Sequence, residues 1–340
     1  MTQRVLVTGV GGQPGFDLTR RLLELGCDVI ATDSDPLANG LLLPGVTPRL
    51  TPPATADDYP DEMLALCRET RPDGLWPTVE SELPHLLAMS SALEKAGVRT
   101  WLPSRPAVQA CLDKALFHRL LTDHNIPTPA SWLPSQIDKV PDGVALVVKP
   151  RRGQGSKNVL FCSTREQARL LCELVPDPII QTKLKGREFT ADCVVDRDGR
   201  ASAVLRYRLL TKGGLSMVSE TFHDHRSHDR VIETLQTVRA SGLCCVQGFL
   251  VDGGGERVVI TEMNARIAGG FLLAEAAGAD LVGQTLAGLG QRRIDHDRLT
   301  YRPGVQLTKA TTTLAVTEHP QLVPINSTGP IGVPSGSRKE

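Results

Sequence analysis

The sequence predicts an α/β region followed by an α+β region. Three observations carry this. Up to residue 102, strand-like and helix-like runs alternate, which implies a parallel sheet covered by helices. From residue 188 onward, longer apolar runs follow one another as strands, the pattern of an antiparallel sheet. Between the two halves, residues 103–106 carry two prolines and mark a boundary. With 340 residues and 41% hydrophobic content, the chain can build two or three domains with sizeable cores.

Residues 4–8 form a short β-rich run. Residues 16–25 have helical spacing and stop at Gly26, and 28–32 make a second strand. A helix over 61–70 leads to a strand at 74–76, and a helix over 83–96, closed by Gly97, leads to a strand at 99–102. Beyond the prolines, one helix is expected over 107–124, ended by Asn125, Pro127 and Pro129. A strand at 144–149, a glycine-bearing loop, a helix at 165–174 and a strand at 179–182 come next. Strands at 188–195, 201–210, 244–251 and 258–264 complete the second half, with helices expected at 229–241 and 271–289. The segment 319–340, rich in Gly, Pro and Ser toward its end, reads as a disordered tail.

Composition excludes some partners. The 38 basic residues balance 38 acidic ones, so no net field draws nucleic acid or a membrane. Eight cysteines are scattered without a Cys-x-x-Cys pair, which argues against a zinc ribbon or a disulfide framework and for reduced thiols. The first residues lack the basic, apolar and small-residue pattern of a signal sequence, so none is expected, and no apolar run approaches the roughly 20 residues that span a bilayer. A cytoplasmic protein is expected.

The most informative local pattern is Glu262-Met263-Asn264-Ala265-Arg266-Ile267, read with Gln247. Two apolar runs flank Asp252-Gly253-Gly254-Gly255-Glu256, which has hairpin chemistry and sets Gln247 opposite Thr261 or Glu262. Residues two apart on a strand share a face, so Glu262 and Asn264 point the same way. Three hard oxygen donors with Arg266 beyond them suit Mg²⁺ on a nucleotide phosphate. The alternative is a polar hairpin face in water.

A second pattern lies at the N-terminus. Gly9, Gly11, Gly12 and Gly15 follow a strand and open a helix, and Asp33 closes the next strand, nearly the dinucleotide-binding fingerprint. It raises an NAD-dependent oxidoreductase as one alternative, although Pro14 removes an amide donor. The other reading is a turn that packs strand against helix. Glu80 and Glu82, after a third strand, would line a pocket or simply begin a helix.

Further cations have phosphate-binding placement. Lys149 ends an apolar strand that has no structural need for a charge. The loop 151–157 offers Gly153, Gly155 and Ser156 to bend over phosphates, Lys114 lies in a helix, and residues 180–188 look like an interdomain hinge.

In their order and spacing, Lys114, Lys149 with its loop, the hinge, Gln247 and Glu262-x-Asn264-x-Arg266 resemble the ATP-grasp superfamily, and within it the carbamoyl-phosphate-synthase-like branch. The resemblance spans about residues 1–315. It implies a Rossmann-like pre-ATP-grasp domain over 1–105, then an ATP-grasp fold over 106–318 whose two α+β subdomains clasp ATP, the lid lying at about 128–186. By that resemblance Lys114 and Lys149 contact phosphates, and Gly153, Gly155 and Ser156 belong to the closing loop. Backbone groups of Lys183 and Leu184 hold adenine, and Glu188 holds the ribose. Gln247, Glu262 and Asn264 bind Mg²⁺, with Mn²⁺ as a substitute, and Arg266 stabilises the transferring phosphoryl group. Lys212, before two glycines, resembles a family position near the reacting carboxylate, and Arg206 and Arg208 lie on the same strand. Three positions depart from the usual pattern: Thr182 replaces an acidic residue, Gln247 is a neutral ligand, and Lys157-Asn158 replaces Arg-Gly.

The expected activity is that of a stand-alone carboxylate–amine ligase, forming an amide or peptide bond through an acyl phosphate and releasing ADP and phosphate. Its small-molecule substrates would be amino-acid-like, and a homodimer is the commonest assembly if it oligomerises. A non-catalytic ATP-binding protein is the other alternative. His223, His225 and His228 resemble a metal cluster by count, but a polar loop is the expected reading.

Overall fold

Alternating apolar residues sort the chain into three sheets, seen in a computed structural model that describes residues 2–153, 155, 157–251 and 257–310. The first sheet is parallel and contains β1 (Arg4–Thr8), β2 (Asp28–Asp33), β3 (Val46–Leu50), β4 (Gly74–Trp76) and β5 (Arg99–Thr100). Its order is β3-β2-β1-β4-β5, so the strand order reverses between β1 and β4. Open α/β sheets present ligands at that point, beyond the carboxyl ends of the strands. Val5 and Val7 of β1 face one core, with Leu18 and Leu22, and Leu6 faces the other, with Tyr59, Met63 and Leu66. Four helices cover the sheet: α1 (Gln13–Glu24), α2 (Tyr59–Thr70), α3 (Leu83–Ala88) and α4 (Ser90–Lys95). Helix α1 begins earlier than its apolar spacing suggests, because Pro14 fits a first helical turn.

The helix expected over 107–124 is two helices, α5 (Arg105–Leu112) and α6 (Lys114–Asp123). Asp113 has extended backbone and accepts the amides of Ala115 and Leu116, so it caps a new helix rather than continuing the old one. This puts Lys114 at the first position of α6.

The second sheet holds β6 (Ser131–Trp132), β7 (Leu146–Pro150), β8 (Leu160–Cys162) and β9 (Pro178–Thr182) in the order β6-β9-β7-β8, all antiparallel. Helix α7 (Arg165–Leu174) packs on it, and Leu146, Val148, Ala168 and Ile180 share a small separate core.

The third sheet is antiparallel: β10 (Arg187–Val195), β11 (Ala201–Lys212), β12 (Leu215–Thr221), β13 (Gly242–Val251), β14 (Arg257–Asn264) and β15 (Gln306–Thr308). Its order is β14-β13-β10-β11-β12-β15. One face packs on α5, α6 and α8 (His225–Thr237) through Phe189, Leu205, Val231 and Val246. The other face sends Val194, Val204 and Leu243 into the core shared with β1 and α1. The helix expected over 271–289 is divided into α9 (Leu272–Ala276) and α10 (Leu281–Leu289), with Gly278 at φ 111° between them. Likewise 83–96 is interrupted at Met89. The expected tail at 319–340 lies outside the described residues. Among the described residues no helix is long and apolar enough to cross a membrane, and all eight cysteines are free thiols.

Candidate active site

Strands β13 and β14 set the centre of the site. Gln247 pairs with Glu262 and Cys245 with Asn264, while Gly248 pairs with Ile260, so Thr261 is the extra residue of a β-bulge. The bulge resolves the two sequence alternatives in favour of Glu262, and the Thr261 hydroxyl donates to the Gln247 carbonyl at 3.2 Å. Gly248 is required there: a Cβ would lie 2.7 Å from the Val259 carbonyl oxygen and 2.8 Å from the Phe189 ring. Residues 246, 248 and 250 point into the core or its edge, and Gln247 points the other way, toward the candidate nucleotide cleft.

Guanidinium groups hold the two amide oxygens. Arg208 Nη1 donates to Gln247 Oε1 at 3.2 Å and to Glu188 Oε1 at 2.7 Å, and its Nη2 donates to the Gly214 carbonyl at 2.6 Å. Arg266 Nη2 donates to Asn264 Oδ1 at 3.1 Å and its Nη1 to the Ile267 carbonyl at 2.9 Å. Glu262 stands among the other charged groups, within electrostatic reach of Lys149, Glu80 and Glu188. Burial pushes Glu188 above the usual carboxylate range; Arg208 opposes the shift and Glu262 adds to it.

The cations expected at the phosphates converge on the same place. Burial lowers the Lys149 ammonium below the usual lysine range, Glu262 offsets part of this and Lys114 adds to it. Lys114 is buried, and its Nζ donates to the Gly153 carbonyl at 2.8 Å. The start of the glycine loop is pinned to the start of α6. Arg151 makes two bonds of 2.7 Å to the Asp113 carboxylate, Arg152 reaches the same group at 3.2 Å, and the Lys114 amide donates to the Arg151 carbonyl at 3.1 Å. Gly153 and Gly155 have φ of 146° and 70°, which suits glycine, and Ser156 lies outside the described residues.

The hinge leaves β9 through Lys183 and Leu184 and enters β10. The Lys183 amide donates to the Ala145 carbonyl at 2.8 Å, so backbone recognition at this residue would fall to its carbonyl. Gly186 has φ 150°, and a Cβ there would lie 2.1 Å from the Leu250 carbonyl oxygen. Lys212 is not gathered with the others, since it is exposed at the tip of the β11–β12 hairpin. Arg206 is not aimed at a ligand either. It is 2% exposed and bonded to Asp192 at 2.7 and 3.2 Å, a core ion pair.

Two residues gained meaning that the sequence did not give them. Glu80, after β4, accepts the Ala265 amide at 2.7 Å from 185 positions away. Burial pushes it up to about 7 against the field of Arg266. His118 sits one turn beyond Lys114 and bonds Thr128 through Nδ1; burial, then Lys149 and Lys114, push it down to about 3, so it is neutral. Lys114 and His118 share a helix face at i, i+4, a spacing visible in the sequence but overlooked.

The glycine turn after β1 is occupied by the protein itself. Gly11 donates to Asp33 at 2.7 Å, so the amide and the carboxylate that a dinucleotide would use satisfy each other. A Cβ on Gly15 would lie 2.3 Å from the Gly9 carbonyl oxygen, which shows how tightly the turn packs strand against helix. The three histidines form no cluster: among the described residues no group of three His, Cys, Asp or Glu side chains is placed to hold a metal ion. His223 packs edge-on against Tyr301, while His225 and His228 lie in the first turn of α8, which Asp224 caps. The segment therefore runs from a short loop at His223 and Asp224 into the first turn of α8.

The architecture has solved counterparts. Biotin carboxylase from Campylobacter jejuni superposes with a TM-score of 0.71 at 12% identity, over 90% of this chain and 74% of that one. L-amino acid ligase from Bacillus licheniformis gives 0.69 at 17% identity, over 89% and 78%. N5-carboxyaminoimidazole synthetase from Staphylococcus aureus, complexed with ADP, gives 0.69 at 12% identity, over 87% and 79%. The fold is thus that of the ATP-grasp enzymes. Within that class, residues 175–313 match the family described as ATP-grasp in the biosynthetic pathway with Ter operon.

Proposed function

We propose that this protein is an ATP-dependent carboxylate–amine ligase, working through an acyl phosphate and releasing ADP and phosphate. The observation that carries the reading is the convergence of Lys114, Lys149 and Arg266 with Gln247, Glu262 and Asn264 beside one bulged hairpin. In this reading residues 106–318 form the ATP-grasp unit, with about 128–186 as the lid over the nucleotide. The Lys183 carbonyl and Leu184 bind adenine, and Glu188 binds the ribose.

The donor set fits a hard divalent cation. It offers one carboxylate and two amide oxygens on paired strands, with no thiolate or imidazole among them. Mg²⁺ held by Gln247, Glu262 and Asn264 would neutralise charge on the phosphate oxygens, and Mn²⁺ would substitute. The rest is positioning: Lys114 and Lys149 hold the phosphate chain, and the loop with Gly153, Gly155 and Ser156 excludes water. Arg266 faces the γ-phosphoryl group as the substrate carboxylate attacks it, and then the acyl phosphate that an amine opens. Lys212 would bind the carboxylate on closure of its hairpin. The L-amino acid ligase among the structural counterparts supports amino-acid-like substrates.

A phosphate-release screen of paired carboxylates and amines, with mass spectrometry of the product, tests this. ADP formation should require both partners, and Glu262→Ala should abolish it. Unchanged turnover in that variant would overturn the metal assignment.

A further inference from the structure

Glu80 belongs to the first sheet's domain, yet its carboxylate reaches the strand end that carries the proposed metal and phosphoryl residues. Its Oε1 accepts the Ala265 amide at 2.7 Å, and Ala265 lies between Asn264 and Arg266. Both partners are buried, Glu80 at 6% exposure and Ala265 at 1%. A desolvated carboxylate is costly, and one amide does not require a charge to satisfy it. Arg266 and Lys114 offset part of that cost, while Glu262 adds to it. The short turn that presents Glu80 is itself fixed: Glu82 accepts the Thr8 hydroxyl, and Thr78 donates to the Thr8 carbonyl at 2.8 Å.

Strand β14 ends at Asn264, so nothing in the β13 ladder fixes the backbone beyond it. Asn264 keeps its ladder partner Cys245, but Arg266, which donates to the Asn264 oxygen, needs another anchor to hold guanidinium and oxygen at a fixed separation. We infer that Glu80 is a positioning residue of the ligase site: through the Ala265 amide it sets where Asn264 and Arg266 point. The inference rests on the proposed roles of those two residues. It makes the first sheet's domain a structural member of the nucleotide site, so that small displacements of β4 would be felt at the metal.

The test is Mn²⁺ binding to the ADP-loaded full-length protein, followed by electron paramagnetic resonance of the free ion, alongside kcat and KM. Glu80→Ala should weaken Mn²⁺ by about tenfold or more, the range seen when an outer partner of a metal ligand is lost, with ADP affinity nearly unchanged. It should lower kcat far more than it raises KM for ATP. Glu80→Gln keeps an acceptor oxygen for Ala265 and should restore Mn²⁺ binding to within about threefold of wild type. Glu80→Asp, which pulls the acceptor back by one methylene, should fall between them, and it serves if the alanine variant does not fold. Wild-type Mn²⁺ affinity in a folded Glu80→Ala protein would overturn the inference alone. So would a glutamine variant as defective as alanine, because charge rather than the amide contact would then matter. Failure of the wild-type protein to bind Mn²⁺ with ADP would overturn the site reading and this inference with it.

Discussion

Replacing Asp113 separates two functions that one carboxylate performs. It caps α6 through the amides of Ala115 and Leu116 at 3.0 and 3.2 Å, and it holds Arg151 through two bonds of 2.7 Å. Losing an N-cap costs about 1 kcal/mol. The ion pair is bidentate but only partly buried, with side-chain exposures of 12% and 27%, so screening leaves about 1 kcal/mol for it. Asp113→Ala should therefore lose about 2 kcal/mol, read as a melting temperature several degrees lower. Asp113→Asn keeps a good cap and gives up only the charge, so it should lose about half as much. Because the cap positions Lys114 and the pair positions Gly153, ATP binding by calorimetry should weaken in the same order. The pH dependence has a defined sign. Burial raises the Asp113 carboxyl, but the Arg151 bonds and the Leu116 amide outweigh it and hold the group below its usual value. Its contribution is then fully present above the unfolded carboxylate range near about 4 and is lost as pH falls through the lower folded value. Equal destabilisation in Asp113→Ala and Asp113→Asn would refute the capping argument. An alanine variant with unchanged stability and ATP affinity would refute both parts.

Arg206→Ala should destabilise the third sheet by about 3–5 kcal/mol in a denaturant titration, since it strands Asp192 at 2% exposure. The double change Arg206→Met with Asp192→Leu should recover most of that loss. Gly186→Ala should cost more than about 2 kcal/mol, because φ 150° and the approach to the Leu250 carbonyl both exclude a Cβ. Glu82 is pushed up to about 7 by burial, with the Thr8 bond opposing, so the folded state holds a proton that the unfolded state releases near about 4. Stability should fall as pH rises between those values, and Glu82→Gln should flatten that slope.

Much of the site was legible because strand periodicity is a local property. The glycine-rich 252–256 segment, outside the described residues, together with the flanking apolar runs sufficed to set Gln247 opposite Thr261 or Glu262. The bulge at Thr261 was not readable, since a one-residue shift of register between two strands leaves the apolar pattern of each unmarked. Helix breaks were missed where a polar residue served as a cap inside an otherwise apolar pattern, as Asp113 does. Arg206 and Arg208 look alike in sequence, two residues apart on one strand. One is a core ion pair and the other joins Glu188 to Gln247, a difference set by Asp192 on the neighbouring strand. The role of Glu80 depends on a contact across 185 residues, which no local pattern encodes.

The central claim is that ATP activates a carboxylate as an acyl phosphate at the Glu262–Arg266 strand end. Turnover of a substrate pair whose carboxylate carries 18O tests it most directly, with mass spectrometry of the released phosphate. The account predicts one labelled oxygen in each phosphate formed with ADP, and loss of that label transfer with Glu262→Ala. Unlabelled phosphate released as the amide forms would contradict it.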